Sequence, residues 1–118
     1  MTAKHTPGPW VVLPEEADKD YLRIRGTRLS CRYKVANVHM PRLWESHDVL
    51  RDRENAESWA NARLIAAAPE LLEALEEAEN ALADYIPTIE RTGASLNYGH
   101  SVLKKARAAI AKATGDES

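Results

Sequence analysis

Between Tyr21 and Trp44 the chain carries six cations and no acid: Arg23, Arg25, Arg28, Arg32, Lys34 and Arg42. Arginine presents a planar fork of N–H donors that grips phosphate or carboxylate in pairs. Arginines on one strand face are therefore chemistry for a small phosphate-bearing nucleotide ligand, or for an acidic protein surface. Aromatic rings on which a base could stack stand around them, at Trp10, Tyr21 and Trp44. Further along, Asn61 and Arg63 sit in an alanine-rich stretch that needs neither for packing. Amide plus guanidinium suits a base edge and a phosphate. The candidate ligand-binding residues are thus Trp10, Tyr21, Arg23, Arg25, Arg28, Arg32, Trp44, Asn61 and Arg63.

Each has a plainer role beside this one. Trp10 follows the rigid stretch His5–Pro9 and can simply anchor a strand in the core. The cations can be a solvated face that discourages edge-to-edge aggregation. Arg63 can pair with Glu57 or Glu70, or reach the backbone of the N-terminal turn.

Catalysis and metal binding find little to stand on. His5, His39, His47 and His100 are scattered, and none lies at ligand spacing with Cys31. Glycine-rich phosphate loops, nucleophile elbows and HExxH are missing. The expectation is a binding protein, not an enzyme, with neither cofactor nor metal. A single cysteine forms no intrachain disulfide, and so fits a reducing cytoplasm. No apolar run approaches the roughly 18 residues of a membrane span, and the N-terminus has no signal-like apolar stretch.

The elements that must position these residues follow from periodicity. The 118 residues suggest one domain, a β part over about 5–45 and a helical part over about 53–114. Thr6-Pro7-Gly8-Pro9 reads as a turn with Gly8 at positive φ, leading into a strand over Trp10–Leu13. "YLRIRGTRLSCRYKV" reads as a hairpin with Gly26-Thr27 as a two-residue turn. That register sets Arg25 opposite Arg28, Ile24 opposite Leu29 and Leu22 opposite Cys31. It places Leu22, Ile24, Leu29, Cys31, Tyr33 and Val35 on one face. Like charges opposite one another are unfavourable unless an anion joins them. The alternation changes phase at Val35-Ala36, which predicts a bulge or a strand end. Arg42 to Asp52 reads as a connecting loop, with or without a helical turn in it.

From Arg53 the spacing is helical, with Ala56, Trp59, Ala62, Ile65 and Ala66 on one seam. Pro69 suits the first turn of a second helix whose seam is Leu71, Leu75, Ala78, Leu82, Tyr85 and Ile89, and Pro87 predicts its end near Tyr85. A third helix, about 101–113, aligns Leu103, Ala106, Ile110 and Ala113 and stops at Gly115. The fold class is α+β: a small antiparallel sheet of about three strands packed on C-terminal helices that include a helical hairpin. Alanine-rich helices gain by close approach, which points to a homodimer or higher homo-oligomer. Net charge is −2, yet seven acids and no Lys or Arg lie between Glu70 and Glu90, opposite in sign to the strand region.

Two stretches, "HTPGPW" (5–10) and "NARLIAAAPELLEAL" (61–75), resemble a large group of short proteins of tailed bacteriophages and prophages, mostly of unknown function. The ending "ARAAIAKATG" is similar to that group too, while the basic hairpin is its variable part. The resemblance implies an accessory protein acting in the cytoplasm of the infected bacterium, and suggests that the two motifs touch, with His5 nearby. It supplies no catalytic residue. Three functions fit a non-enzymatic phage protein. The first is counter-defence by sequestering a nucleotide-derived immune signal, and the second is inhibition of a host or defence protein by direct binding. Nucleic-acid binding by the hairpin ranks third, because the acidic second half disfavours a long duplex footprint.

Overall fold

The structure, a computed structural model, describes residues 5–28, 34–40 and 48–116, the side chains of 48–51 excepted. Its elements in chain order are β1 (Trp10–Val12), β2 (Tyr21–Gly26), β3 (Lys34–His39), α1 (Asp48–Ala66), α2 (Ala68–Glu90) and α3 (Asn97–Thr114). The architecture is α+β, with an antiparallel sheet in the order β1-β2-β3 and a C-terminal pair of helices. The chain divides into two compact units, Met1–Glu70 and Leu71–Ser118.

In the first unit, alternation along β2 decides everything else. Leu22, Ile24 and Gly26 are buried while Tyr21, Arg23 and Arg25 are half-exposed. Leu22 and Ile24 join Met40 and Ala62 of α1 in a fully buried cluster, flanked by Trp10, Val12, Val35, Ala36, Val38, Trp59 and Ala66. Each large apolar side chain withdrawn from water contributes about 1.5–3 kcal/mol. Ala62 keeps α1 close to the sheet because it adds no bulk where the helix crosses Leu22 and Ile24.

The hairpin register differs from the two-residue turn expected at Gly26-Thr27. Arg25 pairs with Lys34, Ile24 with Ala36 and Leu22 with Val38. Gly26 is still strand, paired with Trp10 of β1, and the Thr27 hydroxyl donates to the Pro9 carbonyl at 2.9 Å. These contacts draw Gly26-Thr27 towards β1, so the chain cannot reverse there into β3. Leu29, Cys31 and Tyr33, expected on the core face, lie outside the described residues. The phase change at Val35-Ala36 is a bulge: the ladder shifts between Ile24 and Arg25, and both Val35 and Ala36 pack towards the core.

Helix α1 starts at Asp48, within the stretch expected to be a loop, and its inner face is turned relative to the expected seam. Ser58 and Ala62 are buried, Trp59 and Ala66 half-buried, and Ala56 and Ile65 exposed. The rotation carries the Ser58 hydroxyl to the His39 carbonyl at 3.0 Å, so this buried hydroxyl is hydrogen-bonded, whereas the buried Asn55 Oδ1 on the same helix has no partner among the described residues.

The second unit is a helical hairpin. Helix α2 continues through Pro87 to Glu90 rather than ending near Tyr85. A proline in the last turn removes one donor, and the ladder resumes where the Arg91 N–H donates to the Pro87 carbonyl at 3.2 Å. Ile86 is the buried residue of α2, with Leu72, Leu75, Leu82 and Ala83 half-buried, whereas Leu71, Ala78, Tyr85 and Ile89 of the expected seam are exposed. Helix α3 begins at Asn97 rather than near Ser101. Gly99 lies inside it, and a Cβ there would meet Ile86 Cδ1 at 3.4 Å, so this turn packs directly against α2. Leu103 and Ala106 are buried and Ile110 half-buried, while Ala113 is exposed. Gly115 (φ 77°) closes α3, the Asp116 N–H donating to the Ala111 carbonyl at 2.8 Å and the Gly115 N–H to that of Lys112 at 3.4 Å.

Candidate functional site

Strand alternation puts Val11 of β1, Tyr21, Arg23 and Arg25 of β2 and Asn37 and His39 of β3 on the face away from α1. Val11 lies opposite Arg25, Arg23 opposite Asn37, and Tyr21 opposite His39. On this face an open cleft of about 450 Å³ is lined by Val11, Leu13, Arg25, Gly26 and Thr27. Leu13 extends the β1 side, its N–H donating to the Arg23 carbonyl at 2.9 Å.

Arg25 is the fixed cation of this cleft. Its Nη1 donates to the Ile24 carbonyl at 3.0 Å, to the Asn37 Oδ1 at 3.4 Å and to the Ala36 carbonyl at 3.5 Å. All three bonds use one nitrogen. Among the described residues none is made by Nε or Nη2, and that edge of the guanidinium has the spacing for a two-point grip on an oxyanion. The Lys34 ammonium-bearing side chain stands opposite Arg25 in the ladder. Lys34 thus takes the ladder position opposite Arg25 at which Arg28 was expected.

Arg23 is differently placed. The segment after β1 folds back so that Glu16 Oε1 lies 2.6 Å from Arg23 Nη2 and Glu16 Oε2 lies 3.4 Å from Lys19 Nζ. The Glu16 hydrogen bond, with Asp18 and Tyr21 nearby, raises the Lys19 ammonium above the ordinary lysine value. Lys19 also sits 6.0 Å from the centre of the Tyr21 ring. The acids of "EEADKD" thus temper the cationic face from a segment that strand patterning leaves as a linker.

Trp10, Asn61 and Arg63 are not brought to this face. Trp10 packs against the core between sheet and α1, its indole N–H donating to the Thr6 carbonyl at 2.9 Å. His5 meets the ring edge-on, centroids 5.9 Å apart. Asn61 and Arg63 flank the buried Ala62 on α1 and are exposed. Arg63 stacks on Trp59, one turn back, at 5.5 Å rather than pairing with Glu57 or Glu70. Arg28 is exposed beyond the end of β2, and Arg32 and Trp44 lie outside the described residues.

The two stretches named above meet in space. The Gly8–Pro9 peptide is cis, and Gly8 does not have the positive φ expected of it. Gly8 is required for another reason: a Cβ there would lie 2.9 Å from Pro69 Cβ. The N-terminal turn thus packs directly on the start of α2.

Over residues 1–117 the chain matches the model of a family described as Salmonella phage P22 protein Y8K6. It belongs to that phage protein family. No match is found among curated proteins or among solved structures. The match covers the sheet, all three helices and the Gly8–Pro69 contact of this phage protein. Among its described residues no helix is long and apolar enough to cross a membrane, and no three of His, Cys, Asp and Glu cluster as metal ligands.

Proposed function

We propose that this phage protein is a non-enzymatic binding protein whose outer sheet face holds a phosphate-bearing nucleotide, and that it counters host defence by sequestering a nucleotide-derived signal in the infected cell. One observation carries the reading. Among the described residues Arg25 is tethered through Nη1 alone, and it lines a cleft together with the apolar Val11 and Leu13. A tethered guanidinium loses little freedom when it grips a phosphate, so more of the interaction remains as affinity. The apolar wall suits the flat face of a base or ribose, and Lys34 adds positive charge across the strand pair. Arg23, neutralised by Glu16, contributes position rather than grip.

Thermal unfolding with a panel of cyclic and linear nucleotides, inorganic phosphate and a short duplex tests this directly. A ligand at about a hundred times its dissociation constant adds about 2.7 kcal/mol, a shift of several degrees for a domain of this size. One nucleotide class should produce that shift, and Arg25→Gln should remove it without lowering the unliganded midpoint by more than a degree or two. A shift with duplex alone, or none with any of them, would overturn sequestration. The second outcome would direct the search to a protein partner for the same face.

A further inference from the structure

The second unit carries an apolar surface that its own hairpin does not use. Helix α2 has two adjacent stripes. One, through Leu72, Leu75, Leu82 and Ile86, is half-buried or buried, and its Ile86 meets Gly99 of α3. The other, through Leu71, Ala78, Tyr85 and Ile89, stays in solvent, with Leu71 52%, Tyr85 64% and Ile89 45% exposed. Leu71, Ala78 and Tyr85 recur every seven residues, the repeat by which one helix follows another.

The two inter-helix ion pairs show which side of the hairpin this stripe belongs to. Arg107 Nε donates to Glu79 Oε1 at 2.8 Å, and His100 Nε2 lies 3.0 Å from Glu90 Oε1. At 100° per residue, Glu79 and Glu90 lie beyond the buried seam as seen from Leu71 and Ala78, so these pairs mark the opposite side. The side of α3 nearest the free stripe is therefore the one away from Arg107 and His100. It carries Val102, Ala109, Ala113 and Tyr98, the last 84% exposed. Small residues on both helices allow close approach, with large rings near the ends.

The rims of this face are charged with opposite signs. Glu77 and Asp84, seven apart on α2, border one edge, and Lys105 and Lys112, seven apart on α3, border the other; all four are exposed. A second copy can cover such a face by two kinds of two-fold rotation. An axis across the helices lays α2 on α2 and sets acid against acid. An axis along the helices lays α2 on the second copy's α3, so that each acidic rim meets a basic one and neighbouring helices run antiparallel.

We propose that a second copy of this chain docks on this face, α2 of each copy lying on α3 of the other, to form an antiparallel four-helix bundle. The occupant is fixed by the self-complementary rims, which no arrangement of the single hairpin satisfies.

Sedimentation equilibrium of the full chain at tens of micromolar tests it. The wild type should sediment as a dimer. Ala78→Glu with Tyr85→Glu should give a monomer of unchanged helical circular dichroism, because both positions lie outside the hairpin's own core. Glu77→Lys with Asp84→Lys should weaken the dimer by at least about tenfold, and adding Lys105→Glu with Lys112→Glu should restore it. A monomeric wild type, or a dimer indifferent to Ala78→Glu with Tyr85→Glu, would overturn the proposal. A failure of the fourfold charge exchange to restore association would overturn the pairing of α2 with α3.

Discussion

Gly8 and Pro69 stand so close that a single added carbon would put Cβ atoms 2.9 Å apart. Residues 61 positions apart in sequence thereby join the N-terminal turn to the first turn of α2, beside a Trp10 indole already fixed by the Thr6 carbonyl and the His5 ring. Gly8→Ala should cost about 1–3 kcal/mol, the usual range for overpacking, since both neighbours are backbone-stiff. Chemical denaturation measures it. Gly8→Ala should cost less in a Pro69→Gly background than in the wild type, because the clashing carbon is then gone.

Ser58 and Asn61 lie on one helix and should behave oppositely. Ser58→Ala leaves the His39 carbonyl without its 3.0 Å donor and should lower stability by about 1–2 kcal/mol. Asn61→Ala, on the exposed flank, should stay within about 0.5 kcal/mol. Urea midpoints of the two variants at equal m-value decide it.

Glu16 is expected to restrain the anion affinity of the outer face. Glu16→Gln removes the negative charge 2.6 Å from Arg23 Nη2 and leaves only a neutral acceptor there, so a phosphate ligand identified by thermal shift should bind several-fold more tightly. A gain of about 1 kcal/mol corresponds to roughly fivefold in dissociation constant. Titration calorimetry of wild type and variant at equal ionic strength reads the difference. Stability should move by less than about 1 kcal/mol, because the pair is partly solvated.

Pro87 interrupts a helix that tertiary packing nevertheless carries on. Pro87→Ala restores one donor to the last turn of α2 and should stabilise the protein by about 1–3 kcal/mol. Helical circular dichroism should be unchanged, as the segment is already helical. A destabilised variant would mean that the proline's ring makes a contact worth more than the hydrogen bond it forfeits.

The sequence by itself determined the local elements whose cause is local. The alternation Leu22, Arg23, Ile24, Arg25 assigns a strand with one apolar and one cationic face, and the phase change at Val35-Ala36 announces the bulge. Pro69 near a helix start and Gly115 past a helix end are set by backbone chemistry, and both stand where spacing puts them. Tertiary structure decided what depends on distant partners. The hairpin closes beyond Gly26 because that glycine is still paired with Trp10 in the ladder and Thr27 reaches Pro9. Which of two apolar stripes on α2 is buried was decided by packing, Ile86 against Gly99 of α3 included, for both have helical spacing. The candidate cleft depended on strand pairing: Val11 and Arg25, each an ordinary alternate residue in sequence, become neighbours only when β1 lies beside β2. Hydrogen bonding and apolar periodicity act over a few residues and are written in order along the chain. Register, rotation and close approach are settled between segments, where one carbon at Gly8 or one carboxylate at Glu16 changes the outcome.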